Sequence, residues 1–195
     1  MKSETRIRLK TSPEYKSLKQ EKDRFKRRML FVGFFTEKLR DEGVDAILVG
    51  GEAIELYTGG QFVTADIDLA VSNKTITEKL LNALGFARES GIWFNKDLNI
   101  IVQVIDEPYS GDIGKVRRFK IKEFELKIAS PEDLIINRLY SAKIWKSNPQ
   151  RDLEQAATLL RIFAESIDYD YLNALAKRND VEDVLATIRK HASKL

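Results

Sequence analysis

The chain has 195 residues, 43% of them hydrophobic, with no cysteine and a single histidine, His191. That is enough apolar mass for one sizeable core or two small ones, and it excludes disulfide frameworks, zinc–thiolate sites, iron–sulfur clusters, cysteine nucleophiles, clusters of histidine ligands and most Ser-His-Asp schemes. The net charge of +3 conceals a division, because residues 1–28 hold eleven Lys/Arg against four Asp/Glu and the remainder holds 22 against 26. A basic N-terminal segment on a mildly acidic body suits either a polyanion or the body's own acidic surface. No run of apolar residues is long enough to span a bilayer and no signal-peptide core follows the basic start, so the expectation is a soluble, cytoplasmic protein with no membrane partner.

Ser12-Pro13-Glu14 opens a helix, with a serine cap and proline in the first turn. Tyr15, Leu18, Phe25, Met29, Val32 and Leu39 recur at helical steps until Gly43, which predicts one long helix with an interruption at Gly33, solvated and basic in its first half and buried in its second. Ala46–Val49 is a short buried strand, and Gly50-Gly51 turns from it into an amphipathic segment over Glu52–Tyr57 that ends at Gly59-Gly60. Residues 64–71 alternate: Ile67, Leu69 and Val71 share one face, and Asp66, Asp68 and Ala70 share the other. Thr75–Leu84 reads as a helix stopped by Gly85. Ile92–Asn95 and Asn99–Ile105 read as a hairpin joined at Lys96-Asp97, Glu107–Gly114 as a loop, and Glu123–Ala129 as a further strand. Helices are expected over 133–146, the first of them opened by Ser130-Pro131, and over 149–164, 168–177 and 180–193. The class is therefore α+β, with a sheet layer followed by an all-helical C-terminal part.

The chemistry concentrates in Gly50-Gly51-Glu52-Ala53 and Thr64-Ala65-Asp66-Ile67-Asp68. Two glycines at a strand-to-helix turn let backbone N–H groups approach an anion, and the helix start adds favourable partial charge. An Asp-x-Asp pair on a strand places both carboxylates on one face, about 7 Å apart, within reach of a shared hard cation. Either half alone is usually a turn or a solvated sheet face. Together, in this order, they supply what metal-assisted nucleotidyl transfer requires.

These segments, with Ile47-Leu48-Val49 ahead of them, resemble the signature of the DNA polymerase beta-like nucleotidyltransferase superfamily, in particular its small prokaryotic branch of minimal nucleotidyltransferases and nucleotidyltransferase toxins. Ser130-Pro131-Glu132-Asp133-Leu134-Ile135 and Arg151-Asp152-Leu153-Glu154-Gln155-Ala156 resemble the helical part downstream in that branch. The resemblance implies a mixed sheet and an Mg²⁺-dependent enzyme that moves a nucleoside monophosphate from an NTP to a hydroxyl of a protein or RNA acceptor, with an antitoxin as a partner. It assigns Gly50, Gly51 and Thr64 to the nucleotide, and Asp66 and Asp68 to two Mg²⁺ ions. Many relatives have serine where Gly51 stands. It divides the chain into a basic N-terminal helix (1–43), a nucleotidyltransferase core (44–129) and a helical region packed on that core (130–195).

A third carboxylate is expected on a neighbouring strand, as general base or second-metal ligand. Gln103 stands at that position, and an amide neither accepts a proton at neutral pH nor binds a metal well. Asp106 points to the other face of a regular strand, and a bulge or a different register brings it in. The third acid is therefore Asp106, a less obvious residue such as Glu107, or missing. Arg138, Lys143 and Lys146 are weaker candidates for a triphosphate or nucleic acid, Asp152, Gln155, Trp93 and Trp145 for a nucleobase. Two rivals keep the same sequence: a nucleotide- or partner-binding module without the chemistry, and a nucleic-acid-binding protein that acts through residues 1–28.

Overall fold

In the computed structural model, which describes residues 9–105, 109–146 and 148–192, the chain forms two compact units. The first comprises residues 1–52 and 64–128, the second residues 53–63 and 129–195. The first unit holds α1 (Pro13–Gln20), α2 (Arg24–Asp41), β1 (Ala46–Val49), the start of α3 (Gly50–Tyr57), β2 (Asp66–Val71), α4 (Lys74–Ala83), β3 (Ala87–Glu89), β4 (Ile92–Asn95), β5 (Ile100–Ile105), β6 (Arg117–Ile121) and β7 (Phe124–Ile128). Its strands form one seven-stranded sheet in the order β3-β4-β5-β2-β1-β7-β6. The sheet is mixed: β2 runs parallel to β5 and β1 parallel to β7, while the other neighbours are antiparallel.

The period of two in β2 becomes a division of environments. Ile67 and Leu69 are completely buried, whereas Asp66 and Asp68 are half-buried on the opposite face. The face of β7 that carries Phe124, Leu126 and Ile128 is closed by α2, whose Phe31, Phe34 and Phe35 are fully buried. Burial of each such ring contributes about 1.5–3 kcal/mol. Gly33 is what allows the close approach, because a Cβ there would stand 2.6 Å from the Phe124 Cβ.

The N-terminal helix does not break at Gly33. It breaks at Glu21–Asp23, where Asp23 caps α2 by accepting from the Lys26 N–H (2.9 Å) and Arg27 Nε donates to the Glu21 carbonyl (2.8 Å). Nor is its first half simply solvated, since Tyr15 and Leu18 of α1 are buried and the Tyr15 hydroxyl donates to Leu84 O (3.2 Å). Burial pushes the Tyr15 phenol above its usual range. Two strands go beyond the sequence expectation, β3 and β6, the outermost strands of the sheet. Part of the expected 107–114 loop lies outside the described residues, and its end forms a single 3-10 turn over Ile113–Lys115.

The second unit contains most of α3, then α5 (Pro131–Tyr140), a π turn over Ser141–Trp145, α6 (Pro149–Ile162), α7 (Tyr169–Arg178) and α8 (Glu182–Ala192). Ser130 caps α5 by accepting from the Asp133 N–H (3.1 Å), with Pro131 in the first turn as the sequence predicts. The Tyr57 hydroxyl donates to Ala129 O (2.9 Å), and its ring meets Phe163 edge-on. Among the described residues no helix is long and apolar enough to cross a membrane. The expected class, an α+β chain with a mixed sheet followed by C-terminal helices, is the one observed.

Candidate active site

The turn between β1 and α3 explains both glycines. Gly50 has φ +64°, a left-handed conformation that side chains disfavour, and a Cβ on it would overlap Asp68 Oδ2. A Cβ on Gly51 would stand 2.8 Å from the Thr64 hydroxyl, which donates to Asp66 Oδ1 at 2.9 Å. The glycine turn thus lies directly against Asp68 and, through Thr64, next to Asp66. The first N–H groups of α3 have no acceptor within the helix, so this corner sets amides of the kind that suit an anion beside carboxylate oxygens of the kind that suit a cation. Thr64 fills the space that a residue-51 side chain would need, which accounts for glycine at this position. Gly50→Ala is expected to cost about 1–3 kcal/mol through strain and crowding and to weaken Mn²⁺ binding by displacing Asp68. Thermal melting and Mn²⁺ titration by electron paramagnetic resonance check it.

Behind this turn lies a pair that the sequence reading missed. Arg28 Nε and Glu52 Oε2 form an ion pair at 2.7 Å with side chains 7% and 0% exposed, tying α2 to the first turn of α3. Arg28 closes the basic N-terminal segment, for which the sequence predicts a solvated face. Its spacing in Phe25-x-x-Arg28-Met29-x-x-Val32 places it on the apolar stripe, which was the available signal. Other N-terminal cations also turn onto their own unit: Lys19 pairs with Asp97 (3.3 Å), and Arg27 Nη1 donates to Leu98 O (3.0 Å).

Gln103 stands where the third carboxylate is expected. In the parallel register of β2 and β5 it lies opposite Asp68, with Ile101 opposite Asp66, so the amide shares the face of the acids and is exposed. Asp106 and Glu107 lie outside the described residues. Among the described residues no group of three or more His, Asp or Glu gathers to hold a metal. The donor set nevertheless fits Mg²⁺, which is commonly held by one or two carboxylates and completes its shell with water and substrate phosphate oxygens.

The weaker candidates separate. In the second unit, Arg138 pairs with Asp152 (3.3 Å), and Lys143 lies 3.3 Å from Asp180 and 3.1 Å from Asp183. Hydrogen bonding to Asp183 and Asp180 raises the Lys143 pKa, and Lys143 in turn lowers that of Asp183. Asp152 and Gln155 are buried, as is Trp93 in the first unit, whereas Trp145 is 67% exposed beside Tyr140. Lys146 takes a left-handed conformation, with φ of 52°, at the end of the π turn.

Known proteins carry the same architecture. A nucleotidyltransferase-like protein from Paracoccidioides brasiliensis superposes with a TM-score of 0.57 at 16% identity, over 87% of this chain and 93% of that one. ANT(2″)-Ia in complex with adenylyl-2″-tobramycin superposes with a TM-score of 0.50 at 17% identity, over 75% of this chain and 92% of that one. No curated protein matches by sequence. These likenesses are of fold, and the sequence goes one step further. The family model described as "Nucleotidyltransferase of unknown function (DUF6036)" matches residues 34–193, a span that takes in the glycine turn, both aspartates and the helices that follow, and the chain belongs to that family.

Proposed function

We propose that this chain is an Mg²⁺-dependent nucleotidyltransferase that moves a nucleoside monophosphate from an NTP to a hydroxyl of a protein or RNA acceptor. The observation that carries the reading is the approach of Gly50 to Asp68 and of Gly51 to Thr64, whose hydroxyl donates to Asp66, at one corner of the sheet. Gly50, Gly51 and the first amides of α3 hold the phosphates, and Asp66 and Asp68 hold the cation. The Thr64 hydroxyl fixes the orientation of Asp66 by donating to it. Bound Mg²⁺ neutralises charge on the triphosphate and activates the attacking hydroxyl. In the reaction the acceptor oxygen bonds to the α-phosphorus, the α–β bridging bond breaks and pyrophosphate leaves. The hydroxyl proton goes to a third acid, for which Asp106 is the candidate, since Gln103 cannot accept it. A toxin paired with an antitoxin in a prokaryotic cytoplasm is the setting that the superfamily resemblance suggests, and the product named for ANT(2″)-Ia, an adenylylated tobramycin, supports transfer of a nucleotide.

The test is incubation with each of the four α-labelled NTPs, Mg²⁺ and total RNA or cell lysate. Label entering an acceptor, with pyrophosphate release, is the expected result. Gln103 opposite Asp68 favours a second reading, a nucleotide-binding module without the chemistry, and nucleotide binding without pyrophosphate release would establish it. Gln103→Glu offers an independent check: a third carboxylate beside Asp68 is expected to tighten Mn²⁺ binding about tenfold. Unchanged Mn²⁺ titration would show that the third position is already filled by another acid.

A further inference from the structure

Residues 115–122, Lys-Val-Arg-Arg-Phe-Lys-Ile-Lys, hold five cations and no acid, while the other residues of 29–195 hold 17 bases against 26 acids. This basic island is β6 and its flanks, the open edge of the sheet, and the site described above does not use it. The register shows which way it faces. Leu69, Leu48, Ile128 and Arg117 form one continuous row across β2, β1, β7 and β6. Asp68 and Arg118 each adjoin that row by one residue, and both therefore lie on the opposite face of the sheet. Lys120 shares that face with them, and Lys122 follows in the turn. The face packed on α2 is the other one. With strands about 4.8 Å apart and about 3.3 Å per residue, the backbones of Arg118 and Lys120 lie roughly 16–20 Å from that of Asp68.

We infer that β6 is a docking strip for the phosphodiester backbone of a single-stranded RNA acceptor, an inference that rests on the transferase reading and names its acceptor class. A lysine or two on an edge strand guards against pairing with another chain. Arg118 and Lys120 on the face of the acids, with Lys122 following in the turn and no acid in the segment, go beyond that. Alternate residues of a strand stand about 6.6 Å apart, a step similar to that between successive phosphates of an extended nucleic-acid strand. The separation from Asp68 is one that two or three nucleotides cover, so RNA held at β6 presents a nearby hydroxyl to the carboxylates. Arg118 keeps 65% of its side chain exposed while it holds Glu125 at 2.6 Å, leaving much of its guanidinium open to a second anion. A nucleic-acid strand carries one phosphate per nucleotide whatever its sequence, whereas the acids of a protein surface are seldom evenly spaced, and this favours RNA among polyanions.

The experiment is fluorescence anisotropy of a labelled RNA of about twelve nucleotides on the full-length chain, between about 50 and 200 mM salt. Lys120→Glu with Lys122→Glu is expected to weaken binding about tenfold or more and to reduce the salt slope by roughly 1.4, at about 0.7 per lost contact. The milder Lys120→Gln with Lys122→Gln should give a smaller loss in the same direction, with circular dichroism unchanged. A polyglutamate peptide should compete poorly. Absence of RNA binding by the native chain, unchanged affinity in both double variants, or equal competition by polyglutamate would overturn the proposal. Asp66→Asn is expected to bind RNA like the native chain. If it also transferred label undiminished, the transferase reading would fail while the docking strip stood, so the two failures are separable.

Discussion

Asp66→Asn is expected to lower nucleotidyl transfer about a thousandfold, the effect of losing roughly 4 kcal/mol of transition-state stabilisation. The substitution keeps size and shape, and the amide oxygen can still accept the Thr64 hydroxyl bond seen at 2.9 Å. Stability should therefore change little, with melting within a few degrees of the native chain, while Mn²⁺ binding collapses in parallel with activity. The same argument holds for Asp68, with one difference: Asp68 lies against Gly50, so its replacement also disturbs the turn. Label transfer and Mn²⁺ titration on one preparation check both quantities. Undiminished transfer by a clean Asp66→Asn protein would remove the carboxylate pair from the mechanism.

Arg28→Ala is expected to destabilise the first unit by about 3–5 kcal/mol. It leaves the Glu52 carboxylate, with a side chain 0% exposed, without the guanidinium that stands 2.7 Å away. For a chain of this size such a loss lowers the melting temperature by roughly 10 °C. Replacing both partners together, Arg28→Met with Glu52→Leu, should recover much of it, because removing a charge pair costs less than stranding one member. Calorimetry of the native chain and the two variants decides: equal destabilisation in the single and double variants would mean that the pair contributes through packing alone. The consequence for the site is direct, since Glu52 follows Gly51, and loosening the pair loosens the turn that faces the acids.

What could be read in the sequence follows from how local each signal is. The caps at Ser12 and Ser130, the hairpin at Lys96-Asp97 and the alternation of Asp66–Val71 are written within a few residues, and the fold reproduces them. The gap at Glu21–Asp23 was hidden because the apolar spacing continues across it, and the break depends on the Asp23 cap and the Arg27 bond to a carbonyl. The edge strands β3 and β6 have no clear apolar alternation, since half-solvated edges do not need it; in β6 only the end residues Arg117 and Ile121 are half-buried, and the three between them are exposed. For the site, glycine and acid were placed together by motif order, and the structure brings them into contact. Arg28 was missed because a cation is read as solvated until its partner is seen. Motif position puts Gln103 on a strand neighbouring the acids, but its pairing with Asp68, which strand lies beside β2 and in which direction are long-range properties that periodicity does not carry.

The strand order carries a further implication. β2 is the fourth of seven strands, with three neighbours on each side. Strands at a sheet margin fray by opening on one side, whereas a middle strand is released only when the sheet as a whole comes apart. Backbone amides of Ile67 and Leu69 should therefore exchange with solvent only through global unfolding, while those of β3 and β6 exchange sooner. The two aspartates thus sit on the slowest-opening element of their unit, and β3 and β6 are free to breathe, or to change in sequence, without loosening the spacing of the acids.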